Sequence, residues 1–156
     1  MSDFERDMVQ CMNRFFSERH IHGFAYRLKQ HKFSSQYIDV LVDCLDPRYY
    51  CAIECKSIIG KKIYFSQHFH FDKKGTHQIT IISDFLKKTG RKGFLAVEFR
   101  GGTGKTNAAF LMPWEEIAGR FATAPGISVD EFRVCIPLRR EKGCYILESL
   151  DIATGE

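Results

Sequence analysis

The sequence predicts an α/β fold in which helices flank a mixed central β-sheet. Two amphipathic segments, near 3–20 and 77–89, carry apolar residues at three- and four-residue spacing. Between and after them lie runs in which apolar and β-branched residues alternate with other residues, as in strands. The two patterns follow one another along a chain of 156 residues, which is a usual length for one layered domain with its own core.

The first half of the chain predicts a helix, a strand and a hairpin. The helix over 3–20 presents Phe4, Met8 and Phe15 on one face, and Gly23 follows its end. A short apolar strand over 24–28 leads into the polar loop QHKFSSQ. The segments YIDVLVDCL and YYCAIECKSI both alternate like strands, and the short DPR sequence between them predicts an antiparallel hairpin.

The second half predicts a helix, another hairpin and a short helix. After the basic and aromatic stretch GKKIYFSQHFHFDKKG, the segment HQITIISDFLKKT has helical spacing, His77 is placed to cap it, and Gly90 stands where a helix C-cap belongs. GFLAVEFR and NAAFLMPW predict the second hairpin, and WEEIAGRF predicts the short helix. The tail contains two possible short strands, RVCIPL and CYILESL, around a charged turn.

The segment RGGTGKT, at 100–106, resembles part of a phosphate-binding loop but does not fulfil its requirements. Such a loop needs a glycine five residues before the Gly-Lys-Thr sequence and a helix directly after it. The residue at the first of these positions is Phe99, and the following NAAFLMPW is typical of a strand. We therefore expect a glycine-rich turn and no binding of a nucleotide triphosphate.

Composition indicates a mildly basic protein without membrane spans. The net charge is +4, which is compatible with a polyanionic partner but does not identify one. No apolar run approaches the ~20 residues of a membrane span, and the N-terminus lacks the pattern of an export signal, so we expect a cytoplasmic protein. The six cysteines form no C-x-x-C pair, which argues against a zinc ribbon.

Asp39, Glu54 and Lys56 form the most informative set of polar residues. Side chains at alternate strand positions share a face, so Glu54 and Lys56 project together, while Cys55 points to the other side. An antiparallel hairpin would bring Asp39 beside them at its open end. The alternatives are a surface salt bridge on a half-exposed strand, and Asp43 in place of Asp39 as the functional acid.

Two carboxylates and a backbone carbonyl make a site suited to a hard divalent cation. Asp39, Glu54 and the carbonyl of Cys55 predict a site for Mg²⁺ or Mn²⁺. Beside such an ion, Lys56 would orient the attacking water or stabilise the charge of the transition state. A zinc site formed by His68, His70 and His77 is a less favoured alternative. Histidines in this aromatic segment are also explained by packing or by contacts with the DNA backbone.

The acid on one strand followed by Glu-x-Lys on the next resembles the PD-(D/E)xK nucleases. The surrounding order, FERDMV, HGFAYRL, YIDVLV and FSQHFHFDKKGTHQITIISDFLKKTGRKGFLAVEFR, resembles the Holliday-junction resolvases of the archaeal Hjc type and the bacterial RecU type. The likeness covers about residues 3–120. Ile38 replaces the proline of the motif name, and the tail after Phe121 matches nothing in the pattern.

The resemblance implies a restriction-endonuclease-like core and further site residues. Glu5 would lie in the first or second shell of the metal, and Gln78 would face the same cleft and orient the metal water or a phosphate. We expect DNA contacts from serines of the polar loop and from basic residues near the cleft. These residues are Arg27, Lys32, Ser34, Ser35, Lys61, Lys62, Lys73 and Lys74.

The sequence as a whole favours a single nuclease domain over 1–156, with a core at about 3–120 and a C-terminal extension at 121–156. We expect a homodimer that resolves four-way DNA junctions by metal-dependent hydrolysis, since two opposed cuts need two matched sites. One alternative is a repair or restriction-type nuclease of the same fold that cuts duplex DNA. The other is a nucleic-acid-binding module without catalysis.

Overall fold

The computed structural model describes residues 3–27, 38–101 and 107–147. In chain order, the strands are β1 (Gly23–Arg27), β2 (Val40–Cys44), β3 (Cys51–Ile59), β4 (Lys62–Tyr64), β5 (Lys92–Arg100), β6 (Ala108–Pro113), β7 (Gly126–Ser128), β8 (Ile136–Pro137), β9 (Arg140–Glu141) and β10 (Cys144–Tyr145). The helices are α1 (Asp3–Glu18), α2 (Phe65–His68), α3 (Gln78–Thr89), α4 (Trp114–Phe121) and α5 (Val129–Phe132).

The central sheet is mixed and has six strands in the order β1-β2-β3-β5-β6-β8. Strand β3 lies in its middle, antiparallel to β2 and parallel to β5. The parallel pair requires a crossover, which α3 provides between β3 and β5. The predicted α/β class with a mixed, helix-flanked sheet is confirmed, and so is the antiparallel pairing of β5 with β6.

The two faces of the sheet are covered by different helices. On one face, the apolar side of α1, including Phe4, Met8 and Phe16, packs against Ile53 and Phe94. On the other face, α3 and α4 pack against Ala52, Leu95 and Met112. Because β3 is covered on both sides, a charged side chain on it must find partners within the protein.

The ends of α3 follow its sequence signals. Its N-cap is His77, whose Nδ1 accepts a hydrogen bond from the Ile79 N–H at 3.1 Å. Its C-cap is Gly90, at φ 72°, in the left-handed conformation that glycine adopts without steric cost. Both predicted caps are confirmed, and the first of them fixes where Gln78 begins the helix.

The connection between β2 and β3 is longer than the predicted tight turn. A 3-10 helix at Pro47–Tyr49 occupies it, with the Asp46 side chain accepting from the Arg48 N–H at 3.0 Å. Tyr49 is buried against Phe15 and Phe16, so packing on α1 stabilises this local helix. The strands still pair in the predicted antiparallel sense.

The C-terminal part adds short strands to three places of the fold. Strand β8 pairs with β6 at the sheet edge, and β7 pairs with β4 in a small separate sheet. Strand β10 pairs with β9, and its Tyr145 packs edge-on against Phe4 of α1. The two predicted tail strands are therefore present but are only two residues long each.

Among the residues that the structure describes, no helix is long and apolar enough to cross a membrane.

Candidate active site

Glu54 is a buried carboxylate in the middle of the central sheet. It lies on β3, and only 2% of its surface is exposed. Its strand neighbours Ile53 and Cys55 face α1, whereas Glu54 faces α3, as strand alternation requires. The cost of burying this carboxylate must be offset by its contacts and by its protonation state.

Asp39 is brought to Glu54 by the pairing of β2 with β3. Val40 pairs with Ile53, so Asp39, one residue earlier, is located beside Glu54 and Cys55. Its Oδ2 accepts a hydrogen bond from the Cys55 N–H at 2.9 Å. The two acids therefore converge at the open end of the hairpin, as the strand pattern predicted.

Lys56 is held by two contacts on the same face of β3. Its Nζ lies 3.3 Å from Glu54 Oε2 and 4.6 Å from the centroid of the Phe69 ring. The face of an aromatic ring attracts an ammonium group, so Phe69 restrains Lys56 as well as covering it. With only 17% of its side chain exposed, Lys56 has its ammonium fixed next to the two acids.

Gln78, the first residue of α3, contacts the Glu54 carboxylate. Its Nε2 donates a hydrogen bond to Glu54 Oε2 at 2.7 Å. The backbone of His70 anchors Gln78, because the Gln78 N–H donates to the His70 carbonyl at 2.8 Å and the His70 N–H donates to Gln78 Oε1 at 3.4 Å. The loop before α3 thereby sets which side-chain atom of Gln78 faces the acid.

The protonation of Glu54 is strongly altered by its surroundings. Burial, and after it the nearby Asp39 carboxylate, raise the pKa of Glu54 to about 8, although Lys56 acts in the opposite direction. Oε1 of Glu54 is buried and has no hydrogen-bond partner. A carboxyl group in this state is neutral at pH 7, and a cation that contacted its unpartnered oxygen would favour ionisation.

These residues fit a hard divalent cation. Asp39 and Glu54 supply adjacent carboxylates, and Oε1 of Glu54 is a buried acceptor without a partner. No group of three or more His, Cys, Asp or Glu side chains in 3–27, 38–101 and 107–147 is arranged to hold a metal. Mg²⁺ is compatible with this limited protein set, because it commonly keeps several waters and uses one or two carboxylates together with substrate phosphate.

Glu5 lies on the opposite side of β3 from Glu54. It belongs to α1, and its Oε1 accepts from Arg27 Nε at 2.6 Å. The Glu5 charge is close enough to contribute to the raised pKa of Cys55, whose main cause is burial. Glu5 and Arg27 therefore form a partly buried ion pair whose acidic member lies close enough to Cys55 to act on it.

Some of the predicted DNA contacts lie in turns or at the start of a strand, and others lie outside the described residues. Lys61 is exposed in the turn after β3, Lys62 begins β4 with its Nζ 5.3 Å from the Tyr64 ring, and Lys73 and Lys74 are exposed in the turn before α3. Asp72 shapes that last turn, since its Oδ1 accepts from two backbone N–H groups. Lys32, Ser34 and Ser35 lie outside the described residues.

Asp43, the alternative acid, has a different environment from Asp39. It interacts with Arg91 at 2.8 Å and accepts from the Tyr26 hydroxyl at 2.9 Å. Burial alone would raise the pKa of Asp43, but the hydrogen bonds from Arg91 and Tyr26 outweigh burial and lower it. These contacts give Asp43 a structural explanation, whereas Asp39 is the acid beside Glu54.

The histidines of the aromatic segment are engaged in local hydrogen bonds. His68 Nδ1 accepts from the Tyr64 N–H at 2.8 Å. Both ring nitrogens of His77 are used, one by Ile79 and one by the Phe65 carbonyl at 2.7 Å. His70 contributes through its backbone, and burial lowers its pKa, with a further lowering from Lys56. The described contacts favour packing and positioning over a zinc site.

The sequence predicts no role for Phe69, and it suggests His70 only for zinc, packing or DNA-backbone contact. Phe69 holds Lys56 through its ring, and the backbone of His70 holds Gln78. Both belong to the FHF sequence directly after α2, so an aromatic run near a predicted site is the signal that points to them. Their contacts depend on tertiary packing, which residue type alone does not specify.

No family model matches the sequence, and no curated protein matches it. Among solved structures, the chain is similar to Archaeoglobus fulgidus Hjc, a Holliday junction resolvase from an archaeal hyperthermophile, with a TM-score of 0.55 and 17% sequence identity. The similarity covers 86% of this chain and 92% of the Hjc chain. At this identity the likeness establishes the fold, and the chain therefore has the mixed α/β fold of an archaeal Hjc-type resolvase.

Proposed function

We propose that this protein is a metal-dependent DNA endonuclease that resolves four-way junctions. The observation that carries the proposal is the buried Glu54 carboxylate, which lies beside Asp39, Lys56 and Gln78 on the central strand. A buried acid with a strongly raised pKa in a cluster of polar groups is a common mark of a functional site. The fold shared with Hjc supports a junction substrate.

The proposed cofactor is Mg²⁺ or Mn²⁺. Asp39, Glu54 and the backbone carbonyl of Cys55 would hold it, and the Glu5 carboxylate would add negative charge from the α1 side of β3. When bound, such an ion supplies Lewis-acid chemistry, which neutralises phosphate charge and promotes ionisation of water. Binding of the ion would displace the Glu54 proton, so the affinity for the metal should rise with pH.

The remaining groups act on the water and the phosphodiester. Lys56, fixed by Glu54 and Phe69, orients the attacking water or stabilises the charge that grows on the phosphate oxygens. Gln78 holds the Glu54 carboxylate in one orientation. In-line attack of water on phosphorus then breaks the bond to the 3′ oxygen, leaving a 3′-hydroxyl and a 5′-phosphate.

DNA binding would rest on phosphate contacts rather than on base recognition. Lys61, Lys62, Lys73 and Lys74 are basic residues in turns and edges around this part of the fold. Such contacts position a duplex without reading its sequence and weaken as salt rises. Two symmetric cuts across a junction require two sites, so the active form would be a homodimer.

The test is cleavage of a synthetic four-way junction in Mg²⁺, beside linear duplex and single strands of the same sequence. The matched variants are Glu54→Gln and Glu98→Gln. Glu98 is a control because it lies on the neighbouring strand but on the α1 face, where it accepts from the Ser57 hydroxyl at 2.8 Å.

The proposal predicts preferential junction cleavage by the wild type and by Glu98→Gln, and loss of cleavage in Glu54→Gln. Equal cutting of junction and duplex would favour the same-fold duplex nuclease. Junction binding without cutting in any of the three proteins would favour a binding module. Cleavage that survived the Glu54 change would reject the site.

A further inference from the structure

Cys11 and Cys144 lie in contact although 133 positions separate them in the sequence. Their sulfur atoms are 2.7 Å apart. Cys11 belongs to α1 and Cys144 to β10, so the two thiols join the N-terminal helix to the C-terminal part of the chain. The Tyr145 N–H also donates to Cys11 Sγ, at 3.2 Å, which holds β10 in register with this helix position.

We propose that Cys11 and Cys144 are a redox-active thiol pair that forms a reversible disulfide and clamps β10 onto α1. The proposal concerns a part of the molecule on the α1 side of the sheet. It does not depend on the cleavage activity proposed above.

The two thiols are in unequal environments, which assigns their roles. Cys11 is 3% exposed, and burial raises its pKa to about 12, so it stays a thiol at neutral pH. Cys144 is half-buried and lines a cavity of about 280 Å³ together with Cys11 and Arg14. The Arg14 guanidinium lies beside Cys144 in this cavity, and of the two thiols Cys144 is the one with more access to a reagent that enters it.

Cys144 is therefore the thiol that reacts first with a two-electron oxidant such as a peroxide. The Cys144 sulfur attacks one oxygen of hydrogen peroxide, the O–O bond breaks, and the thiol proton passes to the leaving oxygen, so that the products are a sulfenic acid and water. The Cys11 thiol then attacks the sulfenic sulfur, and a second water leaves as the S–S bond forms. A dithiol reverses the reaction by two exchange steps and becomes a disulfide itself.

A bond at this position would stabilise the association of two distant parts of the chain. Tyr145, next to Cys144, packs on Phe4 and donates its hydroxyl hydrogen to Glu98 Oε2 at 3.2 Å. A cross-link between residues so far apart removes much freedom from the unfolded chain. We expect the disulfide to raise the Tm by roughly 10 °C.

The first test is peptide mapping of the full chain after treatment with hydrogen peroxide or with dithiothreitol, with free thiols blocked by N-ethylmaleimide before digestion. We expect the oxidised protein to yield a Cys11–Cys144 linked peptide that lacks two hydrogen atoms relative to its parts, and the reduced protein to yield both peptides alkylated. The remaining cysteines, Cys44, Cys51, Cys55 and Cys135, are internal controls. Alkylation of Cys11 and Cys144 in the oxidised sample, or a linkage to another cysteine, would overturn the proposal.

The second test compares the Tm of oxidised and reduced protein. The wild type and Cys135→Ser should show the redox-dependent rise, and Cys144→Ser should lose it. Cys135 is a suitable control because it is also half-buried but lies away from this cavity. If Cys144→Ser fails to fold, peptide mapping of the wild type still decides the outcome. A Tm that is the same in both redox states of the wild type would contradict the clamp.

Discussion

The side-chain amide of Gln78 donates to Glu54 Oε2 at 2.7 Å, while the oxygen of the same amide accepts from the His70 N–H. Both ends of the amide are thus used, and the loop before α3 fixes the orientation of a carboxylate on β3. Two segments that are distant in the sequence therefore build one polar centre.

Gln78→Ala is expected to weaken cleavage about 10- to 100-fold, because removal of a group that orients a metal-binding carboxylate costs this much in activity or metal affinity. It also leaves the Glu54 oxygen without its buried donor, at a cost of about 1–3 kcal/mol in the free energy of unfolding. Cleavage kinetics and urea unfolding measure the two effects. Thr80→Ala, an exposed change on the same helix, is the control and should change neither.

The raised pKa of Glu54 predicts that folding stability depends on pH. The folded state keeps the Glu54 proton up to about pH 8, while the unfolded chain loses it near 4.5. Between these two pH values the folded protein binds more protons than the unfolded chain does. The stability that Glu54 contributes is therefore fully present below about pH 4.5 and is lost as the pH rises towards 8. Metal-free wild type should therefore lose stability across this window relative to Glu54→Gln.

The difference in the free energy of unfolding between wild type and Glu54→Gln is expected to change by about 2–4 kcal/mol across this pH window. Urea unfolding at a series of pH values measures this change. The test is how the difference varies with pH and not its size at one pH, because the substitution also alters local contacts. Stability curves that run parallel from pH 5 to pH 8 would show that Glu54 titrates normally.

Phe69→Leu is expected to lower the cleavage rate about threefold to tenfold, because Lys56 loses the aromatic face that restrains its ammonium group. Phe69→Tyr keeps that face and should restore the rate. Phe71→Leu, at an exposed neighbouring ring that is 56% accessible, should leave the rate unchanged. Equal losses in the Leu and Tyr variants would assign Phe69 to general packing instead.

Asp39→Asn and Asp43→Asn are expected to have opposite consequences. The first should reduce Mg²⁺-dependent cleavage by at least about 100-fold, because it removes one of two carboxylates from the proposed metal site. The second should leave cleavage near wild type and cost about 1 kcal/mol or less, since it weakens a partly exposed ion pair with Arg91. A reversed pattern in the cleavage assay would make Asp43 the functional acid.

The main arrangement of this site could be predicted from the sequence because it depends on strand geometry. Strand alternation places Glu54 and Lys56 on one face, and antiparallel pairing brings Asp39 to the same end. The pairing of Val40 with Ile53 follows this scheme. The longer connection at Pro47–Tyr49 did not alter it, since pairing depends on the strands and tolerates different turns.

The smaller elements and the finer contacts could not be predicted in the same way. Strand β4 is formed because Ile63 pairs with Ile127. The three-residue sequence of β4 itself does not indicate a strand partner so far along the chain. The Lys56 contact with Phe69 depends likewise on how the loop before α3 folds back on β3. The strand and helix patterns thus specify the sheet and the acids, whereas tertiary packing decides which side chains restrain them.

Calorimetry of Mn²⁺ binding tests the central claim most directly, because it measures the metal site without requiring a DNA substrate. Wild type and Glu98→Gln should bind the ion with similar affinity, more tightly as pH rises towards 8, while Glu54→Gln should bind at least about tenfold more weakly. Equal Mn²⁺ affinity in wild type and Glu54→Gln would contradict the assignment of Asp39 and Glu54 as the metal centre.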